Sequence, residues 1–264
     1  MHAKLRIGAL ISGGGTNLQA VIDACNDGRI DGRLVFVGSD NPAAGGLDRA
    51  QRAAVPTFVV DYRAVIQRYR AAPREVPVPA NADLQALMQR QALLPDHTPV
   101  QRLETFIRTR VAAEAALLAA MEDFPFDLLI LAGFMRNLTP YFIDHVNTDP
   151  QHPRIMNIHP ALLPAFPGID GYGDTYRYGC KVGGCTVHFV DYGEDSGPII
   201  GQRAFAIAPG DDLDRIRQKG LEHEWRLYPE CIQLFAANRL RVVNKEFKLT
   251  NGKVFKRRVV EIGD

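Results

Sequence analysis

In the first half of this chain short apolar runs alternate with stretches of helical period, and that alternation restricts the fold more than any other feature. Leu5 to Ser12 is an apolar run that ends in glycines, as expected of a strand covered on both faces. Asn17 to Asp27 follows with Leu18, Val21, Ile22 and Cys25 on one side of a helix. Leu34 to Ser39, Thr57 to Asp61, Asp127 to Ala132 and Ile155 to His159 read as further strands, and Gly46 to Ala54 as a short helix. The pattern predicts an α/β fold, a Rossmann-like doubly wound sheet that is mostly parallel.

Between Arg63 and about Glu104 the pattern breaks. Pro73, Pro77, Pro79, Pro95 and Pro99 punctuate this stretch, with room for one short helix over Asp83 to Leu94. A segment of this length inside a compact domain is a lid, a binding loop or an assembly contact, or else a passive surface excursion. Helical period resumes near Thr105 and runs to about Glu122. Gly183 to Val190 and Pro198 to Ile207 then read as strands, some antiparallel. Asp211 to Ala237 holds one or two helices capped by Asp211 or Asp212. The tail from Leu240 alternates apolar and polar residues around Asn251-Gly252, a hairpin turn signal.

Composition narrows the partners. Lysines and arginines number 31 against 30 acidic residues, which argues against a nucleic-acid or polyanion binder but leaves room for a local phosphate site. No apolar run has the length of a membrane span, and Met1 to Arg6 leads straight into a strand-like segment with no secretion signal. Cys25, Cys180, Cys185 and Cys231 lack zinc spacing and read as reduced thiols of a cytoplasmic protein, with a disulfide as the lesser reading.

Two stretches carry chemistry. Ser12-Gly13-Gly14-Gly15-Thr16-Asn17 joins the first strand to the first helix. Exposed amides and the helix start suit it to a phosphate, although it is neither GxGxxG nor a Walker A loop. The alternative is a tight turn capped by Thr16 or Asn17. Asn157 and His159 stand two apart at the end of a strand, so both face one side. The edge of the sheet where they stand is where open α/β folds bind ligands. Asp195, in an acidic glycine-containing loop after the strand of His188, is placed to approach His159 and keep it protonated. Imidazolium and amide together stabilise an oxyanion, which suits acyl or formyl transfer. On spacing alone a strand-end histidine such as His159 is more often structural than catalytic, and Asp195 can be a turn residue. His188 reads as packing in or beside the sheet, and no metal ligand set surrounds His159.

The residues together resemble the folate-dependent glycinamide ribonucleotide formyltransferases. The likeness runs through ISGGGTNLQAVIDAC at 11–25, LAGFMRNLTP at 131–140, NIHPALLPAFPG at 157–168, GGCTVHFVDYGEDSGPII at 183–200 and EHEWRLYP at 222–229. The resemblance implies catalytic roles for Asn157, His159 and Asp195. It implies phosphate contacts at Gly15, Thr16 and Asn17, and a substrate contact at Glu222. Folate contacts are implied at Met135, Arg136, Asn137 and Leu138 and at Asp191, Tyr192, Gly193 and Glu194. It also implies 10-formyltetrahydrofolate as co-substrate, glycinamide ribonucleotide as acceptor and no metal, and it admits a homodimer. One formyltransferase domain would then span 1–264. Its phosphate-binding lobe is 1–132, interrupted at about 63–104. The folate and catalytic lobe is 133–239 and the hairpin tail 240–264.

Two departures stand out. Where the family carries histidines after Pro167-Gly168, this chain has Ile169 to Tyr176, rich in aspartate, glycine and tyrosine. The insertion also falls where the family places a folate-binding arginine, for which Arg102, Arg108 and Arg110 are candidates. A different phosphorylated or sugar amine as acceptor, a formyltetrahydrofolate hydrolase, and a non-catalytic folate or nucleotide binder are the competing readings.

Overall fold

The computed structural model describes residues 3–76 and 78–263. Met1 and Pro77, both part of the sequence reading, lie outside the described residues. Seven strands form one sheet in the order β3-β2-β1-β4-β5-β6-β7. They are β1 (Leu5–Ile11), β2 (Gly32–Ser39), β3 (Thr57–Val59), β4 (Leu128–Leu131), β5 (Ile155–His159), β6 (Val182–Phe189) and β7 (Ile199–Ala206). The first five run parallel, and β6 runs antiparallel to both of its neighbours, β5 and β7. Strand order reverses between β1 and β4, and at such a switch point the carboxyl ends of the strands open a crevice.

Each central strand is apolar on both sides. Ile7, Ala9, Leu128 and Ile130 pack on one face with Leu18 and Val21 of α1 (Thr16–Asn26) and Leu227, Tyr228 and Ile232 of α8 (Leu213–Ala236). Leu10, Leu129 and Leu131 pack on the other face. They meet Leu117 and Met121 of α5 (Val100–Met121) and Phe142 and Ile143 of α6 (Pro140–Val146). The alternation of side chains along a strand sends neighbouring residues into these two cores. The Tyr228 hydroxyl sits between the carbonyls of Leu131 and Met156, 3.1 and 3.0 Å away, and pins α8 to adjacent strands.

Several local features differ from expectation. The break after Arg63 is in part a helix, α3 (Tyr62–Ala71), capped by Asp61, whose side chain accepts from the Ala64 amide. Only Tyr62 is buried in it, so it lacks the apolar stripe that betrays a helix in sequence. After α2 (Gly46–Arg52) and α3 comes α4 (Leu84–Arg90), capped by Asp83 as the expected short helix. The helix α5 starts earlier than its period suggested. The turn glycine Gly15, not Thr16 or Asn17, caps α1, at φ 70° and without a side-chain cap. Two glycines lie inside α7 (Gly171–Arg177), where propensity opposes a helix. Packing overrides it: a Cβ on Gly171 would stand 2.6 Å from the Pro160 carbonyl oxygen. Asp212 caps α8, which runs as one helix through Pro229. β8 (Leu240–Lys248) and β9 (Val254–Ile262) form a separate antiparallel ribbon around Asn251-Gly252.

Among the described residues no helix is long and apolar enough to cross a membrane. The four cysteines are free thiols.

Candidate active site

A groove of about 450 Å³ opens at the carboxyl ends of β4 and β5. Antiparallel pairing sets its floor, because Asn157 lies opposite His188 and His159 opposite Thr186. Residues paired across strands point to the same face, so Asn157, His159 and His188 share one side. Thr186 fixes the turn beyond β5, donating to the Ala161 carbonyl at 2.7 Å and accepting from the Leu163 amide at 3.0 Å.

His159 is buried, with Nδ1 3.1 Å from Oδ2 of Asp195 and Nε2 2.8 Å from the Phe166 carbonyl. Both neighbours accept, so the ring that suits both contacts is the doubly protonated one. Burial disfavours that charge, but the hydrogen bond and charge of Asp195 and the Phe166 carbonyl outweigh it and raise the His159 pKa. For Asp195 burial likewise favours the neutral acid. The hydrogen bond and charge of the His159 ring and the Gly168 amide overcome it and hold its carboxyl well below the usual range. The loop carries Asp195 in the left-handed region, at φ 50°, a conformation aspartate tolerates better than most residues.

His188 takes a larger part than the sequence suggested. Its Nδ1 lies 2.9 Å from the Phe189 carbonyl, which assigns the proton there and leaves Nε2 as an acceptor. Nε2 is 3.3 Å from the Asn157 amide nitrogen, and Asp195 Oδ1 at 3.6 Å is too distant for a hydrogen bond. One amide N–H of Asn157 is thus held, and the other is left for a ligand oxygen. The signal for this role was the strand register, which requires knowing which strands pair.

At the other end of the groove stands Glu224 of α8, not Glu222. Glu222 is exposed and does not line the groove, whereas Glu224 is 4% exposed and does. Asn17 Nδ2 donates to one Glu224 oxygen and the Tyr172 hydroxyl to the other, each at 2.6 Å. Burial raises the Glu224 pKa, opposed by those two bonds and by the charge of His159. The Oδ1 of Asn17 is buried without a protein partner. Of the three glycine-turn residues only Asn17 lines the groove; Gly15 and Thr16 do not.

Met135, Arg136, Asn137 and Leu138 all line the groove after β4. The Met135 amide donates to Ser12 Oγ at 2.8 Å, Arg136 pairs with buried Asp40 at 2.5 Å, and Asn137 donates to Glu194 at 3.1 Å. Asp191, Gly193 and Glu194 line it too, but Tyr192 turns to Arg90 and Asp144 instead. Arg102, Arg108 and Arg110 do not line the groove. Arg110 stacks on Tyr62, as Arg136 does, with the guanidinium carbons 5.8 and 5.5 Å from the ring centre. Among the described residues no cluster of His, Cys, Asp and Glu is arranged to hold a metal ion.

This geometry has counterparts in known proteins. The chain is 31% identical to the phosphoribosylglycinamide formyltransferase of Escherichia coli (strain K12), over 90% of each chain. It is 30% identical to the human trifunctional purine biosynthetic protein adenosine-3 over 90% of its own length, which spans only 19% of that protein. Among solved structures it resembles glycinamide ribonucleotide transformylase 1 from Symbiobacterium toebii, with a TM-score of 0.73 and 37% identity. That match covers 100% of this chain and 96% of the other. The profile of the family described as formyl transferase matches residues 5–232, which include all seven strands of the sheet and the groove, and the chain therefore belongs to the formyl transferase family.

Proposed function

We propose that this chain transfers a formyl group from 10-formyltetrahydrofolate to the amine of glycinamide ribonucleotide. The observation that carries the reading is the convergence of His159, Asp195 and Asn157 on one side of the groove. The donor occupies the half bordered by Met135 to Leu138 and the loop of Asp191 to Glu194. The acceptor occupies the half bordered by Asn17, Tyr172 and Glu224, with its phosphate towards the glycine turn at the start of α1.

The unprotonated amine attacks the formyl carbon, forming a C–N bond as the carbonyl electrons move to oxygen. The free N–H of Asn157 donates to that oxyanion and the His159 imidazolium lies close by as the compensating charge. Asp195 keeps the imidazolium charged. The proton leaving the amine passes to N10 of the folate as the C–N10 bond breaks, releasing tetrahydrofolate and the formamide. Holding both substrates in one groove removes the entropy of bringing them together.

The segment from Ile169 to Tyr176 gives the acceptor half its own chemistry, through Tyr172 on Glu224. An acceptor screen tests the reading directly. Tetrahydrofolate release should require glycinamide ribonucleotide. Release without an amine would identify a hydrolase, and folate binding without turnover on any acceptor would identify a binding protein.

A further inference from the structure

Within the insertion the chain packs against the loop that carries the catalytic aspartate. Ala92 pairs with Gly193 as a parallel bridge, and its amide donates to the Tyr192 carbonyl at 3.1 Å. Side chains reinforce the joint. Arg90 donates to the Tyr192 hydroxyl at 2.5 Å and to Asp144 of α6 at 2.7 Å, and the Tyr192 hydroxyl donates to Asp144 at 2.5 Å. The Arg90 guanidinium also lies over the Tyr192 ring, 5.0 Å from its centre. Gln91 Oε1 accepts from the amides of Leu93 and Leu94, both at 2.8 Å, which folds the strap into a turn. Leu93 is thereby brought into the groove beside Asp191, Gly193 and Asp195.

The geometry points to residues 90–94 as a strap built for the donor. Leu93 is a specificity-determining residue that supplies an apolar wall to the reduced pterin, and Arg90 is a positioning residue that holds the Asp191–Asp195 loop through Tyr192. This rests on the transferase reading above, and it gives this part of the insertion a task at the donor half of the groove. Arg90 and Asp144 are 44% and 40% exposed, so their ion pair alone is weak; the backbone bridge, the ring and the shared hydroxyl act with it.

The test uses the full chain with Leu93→Ala, Arg90→Met and Arg90→Lys. Titration with tetrahydrofolate should show weaker binding for Leu93→Ala and Arg90→Met. Steady-state kinetics should raise the KM for 10-formyltetrahydrofolate about five- to tenfold, as loss of one good contact does. The KM for the amine should stay within about twofold and the unfolding midpoint should hold, because these side chains lie outside the main core. Arg90→Lys, which keeps the charge, should recover part of the loss. Wild-type tetrahydrofolate affinity in both variants overturns the strap, as does an equal rise in both KM values. A wild-type chain that binds no tetrahydrofolate overturns the transferase reading itself, and the strap with it. The Leu93 variant carries the test alone if removal of Arg90 prevents folding.

Discussion

Oδ2 of Asp195 serves His159 Nδ1 at 3.1 Å and the Gly168 amide at 2.8 Å, so one oxygen joins the charged ring to the loop that follows it. Burial alone would strip the ring of its proton, and the carboxylate reverses that. Removing the carboxylate charge as Asp195→Asn leaves the burial and deletes the compensation. The alkaline limb of kcat should move to lower pH, and the His159 ring should titrate below its ordinary value of about 6.5 in NMR. Stability follows the same sign. For the wild type the pair's contribution is full between the ordinary carboxylate and imidazole ranges. It is lost as pH rises through the elevated His159 pKa or falls through the depressed Asp195 pKa. A ring that titrates identically in wild type and Asp195→Asn would break the link.

His159→Ala should lower turnover by about 100-fold or more while changing substrate binding little, as removal of charge stabilisation at a developing oxyanion does. Steady-state kinetics with both substrates measures it. Wild-type turnover would remove His159 from the reaction.

Glu224 and Glu222 offer a paired test of the acceptor half. Glu224→Gln should raise the amine KM about tenfold or more, the usual scale for a lost charged hydrogen bond. Glu222→Gln should behave as wild type, since that side chain faces away from the groove. The reverse pattern would return the role to Glu222.

Gly15 adopts φ 70°, and a Cβ there would come 2.7 Å from the Gly46 Cα. Gly15→Ala therefore combines left-handed backbone with a clash against the start of α2, and should cost about 1–3 kcal/mol in denaturant unfolding. An unchanged midpoint would mean that the turn can relax.

What could be read in advance followed from burial and period. The ends of β5 were legible because an apolar run leads into two polar residues, and the two-residue spacing put Asn157 and His159 on one face. The burial of Glu224 follows from the same kind of period. Gly220, Glu224, Leu227, Tyr228 and Cys231 repeat at four- and three-residue steps along the buried face of α8, and Glu222 falls off it. Two other features lay beyond any single stretch. The role of His188 depends on pairing with β5, and that of Leu93 on a bridge to residues a hundred positions later. The helix α3 escaped because its surface is mostly polar.

The Tyr228 hydroxyl, wedged between two strand carbonyls, ties the acceptor half of the groove to the most protected part of the molecule. Glu224 lies one turn before it on α8, so that wall cannot swing outward without unzipping the sheet's packing. Amide exchange along this turn will thus report whole-molecule unfolding, whereas exchange around Tyr192 will report local breathing.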